Sequence, residues 1–300
     1  MASSPDGGPL SLQIRASYTA CAESVFTHLA TRFILRDKSI ETFSWVFSEP
    51  RTKSTLPSWV PDMRFLLPNR NFVPPVRINT WASGDTEVAA SIILSDSKLL
   101  ICGRRVDIID RVGSIDFKEN QSEKVDLYSS DAQKIPKCWP LWRAECTGIA
   151  REAPHLEQDA ELPDAFWRTL IWNCTDDILV RAPSVFLQGV KSFIEDYMDR
   201  AQIDFKSVTK KLESGQEVYL GHFKRSMVGA RAGTLLFAMV PLATAPGDFI
   251  CVLDGGCHPY VLRPCGDNEY RLVGACYLQG MMEGEAMEMA ELEAETFTII

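Results

Sequence analysis

Three groups of residues have the types and spacing that chemistry requires, and each is measured against its simpler reading. The first is acidic. Glu195-Asp196-Tyr197-Met198-Asp199 fits a [D/E]-D-x-x-[D/E] pattern, in which Asp196 and Asp199 share a helix face and could hold Mg²⁺ against a diphosphate. That chemistry needs a second metal motif on another helix. The nearest analogue, Asp204 to Lys211, ends in Lys where Glu is required and lies too close in sequence. A solvated acidic helix face is the simpler reading. The second group is sulfur and imidazole. Cys251, Cys257 and Cys265 are separated by five and seven residues with His258 among them, and no C-x-x-C pair occurs, so a zinc site is not expected. Cys257 and His258 are adjacent, and on a strand they would face opposite ways, which weakens them as a dyad. The third group is glycine. Gly229 to Gly233 (GARAG) lacks the third glycine of a dinucleotide loop and reads as a flexible hairpin turn. A phosphate-binding G-x-x-x-x-G-K-[ST] and a G-x-S-x-G elbow are both absent. The expectation is a protein with no cofactor and no metal.

What remains is apolar surface with a few polar groups near turns and strand ends, the usual make-up of a small-molecule site. The candidate substrate-binding residues are Trp59, Asp62, His222, Asp254, His258, Tyr260, Arg263 and Tyr277. For each, a surface group or a satisfied core hydrogen bond is the plainer alternative. No catalytic residue is singled out.

The elements that must position these residues centre on Pro246–Ala286. Phe249–Leu253 is a continuous apolar run, short enough for a buried strand. Asp254-Gly255-Gly256 is a turn signal. Tyr260–Leu262 is a second run, closed by Pro264 and Gly266-Asp267-Asn268. Tyr270–Leu278 is a third, and Gly274 within it points to a bulge or a close backbone approach. Upstream, the spacing of Tyr18, Ala22, Val25, Phe26, Leu29 and Phe33 predicts a helix from Tyr18 to Leu35, with Ser17 as N-cap. A second helix is expected from Ser39 to Pro50. Pro57 and Pro61 stiffen the loop that carries Trp59 and Asp62. Strands are expected at Val88–Leu94, Lys98–Asp110, Glu217–Phe223 and Thr234–Val240. Helices are expected from Pro163, with Phe166, Trp167, Leu170 and Ile171 on one face, and from Ser184 to about Leu212. Residues 112–137 read as a polar surface excursion.

The composition, 46% apolar and 24% charged, is that of a globular chain. A net charge of −9 argues against a nucleic-acid or anionic-membrane partner. The longest apolar run, Thr234–Ala245, is too short to span a bilayer and contains Pro241. The N-terminus shows no basic region followed by an apolar core. Nine scattered cysteines then read as reduced thiols, and the expected location is cytoplasmic.

The run PGD-x-ICVL-x-GG-x-x-PYVLRP followed by YRLVG-x-CY-x-x-G-x-M-x-GEA resembles the C-terminal region of fungal heterokaryon-incompatibility (HET-domain) proteins. LPSWVPD (Leu56–Asp62), GRRVDII (Gly103–Ile109) and FWRTLIWN (Phe166–Asn173) resemble the same family in the same order. Ala275, Gln279 and Glu283 stand where the family commonly carries Glu, His and Asp. The resemblance implies an α+β region that follows an N-terminal HET domain, to which the family's cell-death activity is attributed. The expected architecture is a disordered leader over residues 1–11, then a single α+β domain over 12–300. In it, a mixed, mostly antiparallel sheet or partly closed β-barrel (strands from 88–110 and 217–278) packs on helices from 17–47 and 160–212. Two functions follow as expectations. One is a stand-alone module of secondary metabolism that binds an apolar terpenoid or polyketide and promotes a cofactor-independent, Diels–Alder-type cyclisation. The other is a non-enzymatic regulatory or interaction module with a protein partner.

Overall fold

The computed structural model describes residues 19–46, 55–66, 80–88, 98–114, 139–152, 162–174, 181–193, 227–232 and 236–300. Eight strands form one hydrogen-bonded network: β1 (Leu99–Val112), β2 (Met227–Ala232), β3 (Leu236–Pro241), β4 (Phe249–Leu253), β5 (Pro259–Gly266), β6 (Glu269–Ala275), β7 (Tyr277–Leu278) and β8 (Ala294–Ile299). Around them lie α1 (Ala22–Asp37), a 3-10 turn (Glu41–Trp45), α2 (Met63–Leu66), α3 (Trp139–Arg151), α4 (Asp164–Leu170), α5 (Ser184–Phe193) and α6 (Glu285–Glu288).

Five strands close on themselves. β4 pairs with β5, β5 with β6, β6 with β8, β8 with β1, and β1 returns to β4. The pairings are antiparallel except the β6–β8 contact, which is parallel and spans only Glu269↔Thr298 and Tyr270↔Ile299. Register shifts in β1 and between β5 and β6 make the ring irregular, so the barrel is partial in its regularity. One long strand makes closure possible. β1 pairs with β8 over Leu99–Arg104, with β4 over Gly103–Ile108, and with β2 over Ile109–Val112.

Side-chain alternation along the strands then sets three cores in series. Cys251 and Leu253 of β4, Tyr260 and Leu262 of β5, Leu272 of β6 and Phe297 of β8 point into the ring, where Ala30, Ile34, Phe43 and Trp59 plug it. Their neighbours Ile250, Val252, Val261 and Val273 point outward and pack on Ala238 and Val240 of β3. On the far face of β3, Met239 meets a layer from α3, α4 and α5 that includes Trp142, Phe166, Trp167 and Leu187. The α+β architecture expected from sequence is the one observed.

Several elements differ from expectation. The second helix is only a 3-10 turn, because Ile40 N–H donates to Gly255 O (3.1 Å) and Val46 is already extended. The GARAG segment is not a hairpin turn: Gly229–Ala232 is strand, paired with Leu236–Met239. β8 and α3 have no counterpart in the sequence reading. Of the strand expected at Val88–Leu94 only Val88 is described, and its N–H donates to Lys38 O; residues 89–94 lie outside the described residues. The helix read from Tyr18 runs Ala22–Asp37 among the described residues, with Cys21 at the N-cap position; Ser17 and Tyr18 lie outside them. Residues 1–11, most of the excursion at 112–137, the strand at 217–223, the acidic cluster at 195–199 and the remainder of the helix to 212 also lie outside them.

Candidate functional site

The turn between β4 and β5 gathers loops from distant parts of the chain. Ser39 Oγ and Ile40 N–H both donate to Gly255 O, at 3.0 and 3.1 Å. Thr80 Oγ1 and Ala82 N–H donate to Cys257 O, Ser83 N–H to Gly256 O, and Gly255 N–H to Thr86 Oγ1. Gly255 has φ +69°, and a Cβ there would lie 2.6 Å from Val88 Cγ2 and 2.7 Å from Lys38 O, so only glycine fits the turn. Partial burial raises the carboxyl of Asp254, opposed by a Thr86 hydrogen bond and by Arg104. Burial pushes the Cys257 thiol up to about 11, so it is no thiolate nucleophile near neutral pH.

His258, next in the chain, turns inward. It is buried, with Nδ1 at 3.4 Å from Ser44 Oγ, and its ring lies 6.4 Å from that of Trp172. Trp172 also meets Tyr277, ring centres 5.6 Å apart. Trp172 sits at φ +55° and Asn173 at φ +54°, just past the end of α4. Asn tolerates this left-handed region, whereas a bulky residue there costs about 1–3 kcal/mol and needs compensation from its surroundings. That compensation is visible. Arg168 Nη1 donates to Asn173 Oδ1 (2.6 Å) and Ala182 O (2.7 Å), and the Trp172 ring is fully buried. Tyr277 OH donates to Gln279 Oε1 at 2.6 Å, and burial raises its phenol.

His258 and Tyr277 are therefore brought to one region through Trp172, the seam between barrel and helical layer, while Asp254 stays on the β4–β5 turn beside Thr86 and Arg104. The other candidates go elsewhere. Tyr260 points into the barrel, edge-on to Phe43 at 5.6 Å, with its hydroxyl 3.5 Å from Ile40 O; burial raises it strongly. Trp59 is fully buried in the same core. Asp62 is buried and accepts from Arg64 Nε (2.9 Å) and Nη2 (2.6 Å), while Arg64 Nη1 reaches Glu23 of α1 (2.9 Å). Arg263 grips the buried Asp248 through two 2.8 Å bonds and donates to Ala243 O, which fixes the β3–β4 loop. The fork of Arg and the acceptor pair of a carboxylate match in geometry, so both pairs act as clamps. His222 lies outside the described residues.

Four contributors escaped the sequence reading: Ser44, Ser58, Trp172 and Asp248. Ser58 had a readable signal, a small hydroxyl between two prolines. It accepts from Leu272 N–H (2.9 Å) and donates both N–H and Oγ to Ile300 O, bridging β6 to the end of β8. Trp172 and Asp248 lie in the FWRTLIWN and PGD runs, but their residue types did not announce these roles, and Ser44 had no signal because its partner is far away in sequence. Chemically, the seam offers protonated phenol and thiol groups and a buried Ser–His hydrogen bond. Among the described residues no three His, Cys, Asp or Glu side chains converge as metal ligands.

Residues 186–299 match the Het-6 beta-barrel domain. The resemblance to the C-terminal region of HET-domain proteins holds. The chain is 24% identical over 331 aligned positions to heterokaryon incompatibility protein 6, OR allele, of Neurospora crassa; the alignment takes in 94% of this chain and 47% of that protein. The chain thus spans about half the length of the curated relative it matches. No solved structure matches it significantly. The stretch matching the Het-6 barrel contains β2 to β8, yet the ring is closed by β1 and plugged by Trp59, both outside that stretch. No helix among the described residues is long and apolar enough to cross a membrane.

Proposed function

We propose that this chain is a non-enzymatic recognition module related to heterokaryon incompatibility, with residues 12–300 acting as one unit in the cytoplasm and engaging a protein partner. One observation carries the reading: the polar groups that could serve chemistry are committed to architecture. Asp62 clamps Arg64, Arg263 clamps the Asp248 loop, Tyr277 holds Gln279, and His258 meets Ser44 inside the seam. The aromatic candidates Trp59, Tyr260 and Tyr277 fill cores. The name of the relative, heterokaryon incompatibility protein 6, points the same way. The cyclase reading rests on the sequence alone.

The test is paired. The chain is used as bait in a fungal host, and any recovered protein is purified and titrated against it by calorimetry. A saturable one-to-one complex is expected. The reading is overturned if no purified protein binds, or if the chain accelerates cyclisation of an apolar polyene.

A further inference from the structure

We propose that Trp81 anchors a docking surface for an arginine-bearing segment of a partner protein, an inference that rests on the recognition-module reading and gives its partner a chemistry. The loop Thr80–Val88 inverts the usual order of burial. Its small residues Thr80, Ala82 and Ser83 are buried, while Trp81 is 54% exposed. Trp59, Trp142, Trp167 and Trp172 are by contrast fully buried.

The loop is also held firmly. Thr80 Oγ1, Ala82 N–H and Ser83 N–H bond to the β4–β5 turn, Gly84 N–H closes a tight turn onto Trp81 O at 2.7 Å, and Thr86 Oγ1 donates to Ser83 O at 2.9 Å. A rigid aromatic on such a loop loses little freedom on binding, which is how tryptophan serves as an interface anchor.

The surroundings select the partner's charge. Gly84 and Gly284 touch, a Cβ on Gly284 lying 3.1 Å from Gly84 Cα and 4.0 Å from Trp81 O. This contact sets the acidic segment around α6 beside the Trp81 turn. Two basic residues at this rim are already used, Lys38 by Glu87 (2.6 Å) and Arg181 by Glu283 (2.5 Å), while Arg104 donates to Met287 Sδ and Leu292 O. Asp85, Glu285 and Glu288 form no ion pair among the described residues. A half-exposed indole on a turn that touches the acidic α6 segment favours a guanidinium, which would stack on the ring and meet the acids nearby.

The probe is a Gly-Arg-Gly-Arg-Gly peptide, titrated into the full chain with the tryptophan indole N–H signals followed by NMR. The Trp81 signal, identified by its loss in Trp81→Ala, is expected to move saturably and to move less as salt is raised. The same peptide with glutamine for arginine is expected to leave it in place. Trp81→Ala should weaken binding at least about tenfold with an unchanged melting temperature. Asp85→Asn/Glu288→Gln, which leaves the indole intact, should weaken it several-fold. An unmoved Trp81 signal, equal binding of the glutamine peptide, or full binding by Trp81→Ala overturns the proposal. A protein partner that Trp81→Ala binds as tightly as wild type overturns this surface and leaves the recognition reading standing. Absence of any partner overturns that reading itself.

Discussion

The closed barrel and the helix-clad sheet beside it are assembled in different ways. The barrel core draws on α1, the 3-10 turn, the Leu56–Asp62 segment, β1 and the four strands β4, β5, β6 and β8. Its loose joints are pinned by single polar groups from far along the chain, such as Ser58 at the β6–β8 contact and Ser39 at Gly255 O. The outer layer relies on aromatic packing. Phe166 meets Trp167 at 5.3 Å and Phe237 at 5.0 Å, and Trp172 meets Tyr277. A sheet with one covered face tolerates the loss of a helix contact, whereas a ring missing one strand exposes two edges. The part of the molecule that matches the Het-6 barrel therefore depends most on residues outside the match.

The largest expected effect follows directly. A fragment of residues 186–300 lacks β1 and Trp59, and it should show no cooperative thermal transition by circular dichroism. A sharp melt would show that the ring closes without β1 and would dissolve the contrast. Next come two tryptophans, one per region. Trp59→Ala and Trp172→Ala should each cost about 3–5 kcal/mol in chemical denaturation. Trp59→Ala should raise amide exchange in β1, β6 and β8 together. Trp172→Ala should raise it in α4 and β7 and spare β8. Identical exchange patterns would mean the two cores unfold as one.

Ser58→Ala is a smaller perturbation. It leaves the Leu272 N–H without its acceptor and should cost about 1–3 kcal/mol, read as a lower denaturation midpoint with unchanged slope. A Cys257 titration gives the smallest effect. The thiol is raised from 9.0 to about 11 by burial. The stability carried by its protonated form is whole below pH 9 and is lost as pH rises through about 11. Alkylation at Cys257, followed by mass spectrometry, should accelerate about tenfold per pH unit between pH 8 and 10 without levelling off. A plateau near pH 9 would show that the β4–β5 turn is more open than the loops packed on it indicate.

Much of the barrel was legible because its signals are local. The apolar run of β4, the Asp254-Gly255-Gly256 turn and the Asp267-Asn268 turn (Asn268 at φ +57°) each name their own conformation. The bulge expected at Gly274 is there: the β5–β6 register shifts at Val261/Leu262, and Gly274 has φ +152° with Pro241 packed against it. β2 and β8 were not legible. Gly229-Ala230-Arg231-Ala232 has poor strand character and becomes strand because β1 and β3 flank it. The acidic, alternating Ala294–Ile299 becomes strand because β1 offers it an edge.

The candidate site divides along the same line. Residue types and turn positions drew attention to Asp254, His258, Tyr260 and Tyr277. They did not say that two of them face different cores, or that Trp172, held at φ +55°, links His258 to Tyr277. By itself, the sequence determined the strands of the central meander, the turns that join them, and the clamps' residue types. Local backbone preference and side-chain period are properties of a few neighbours. The tertiary structure alone decided that β1 would serve three partners, that buried carboxylates would spend their charge on loops, and that Trp81 would be left facing out. Those outcomes depend on which distant surfaces meet, and no short stretch of chain encodes that meeting.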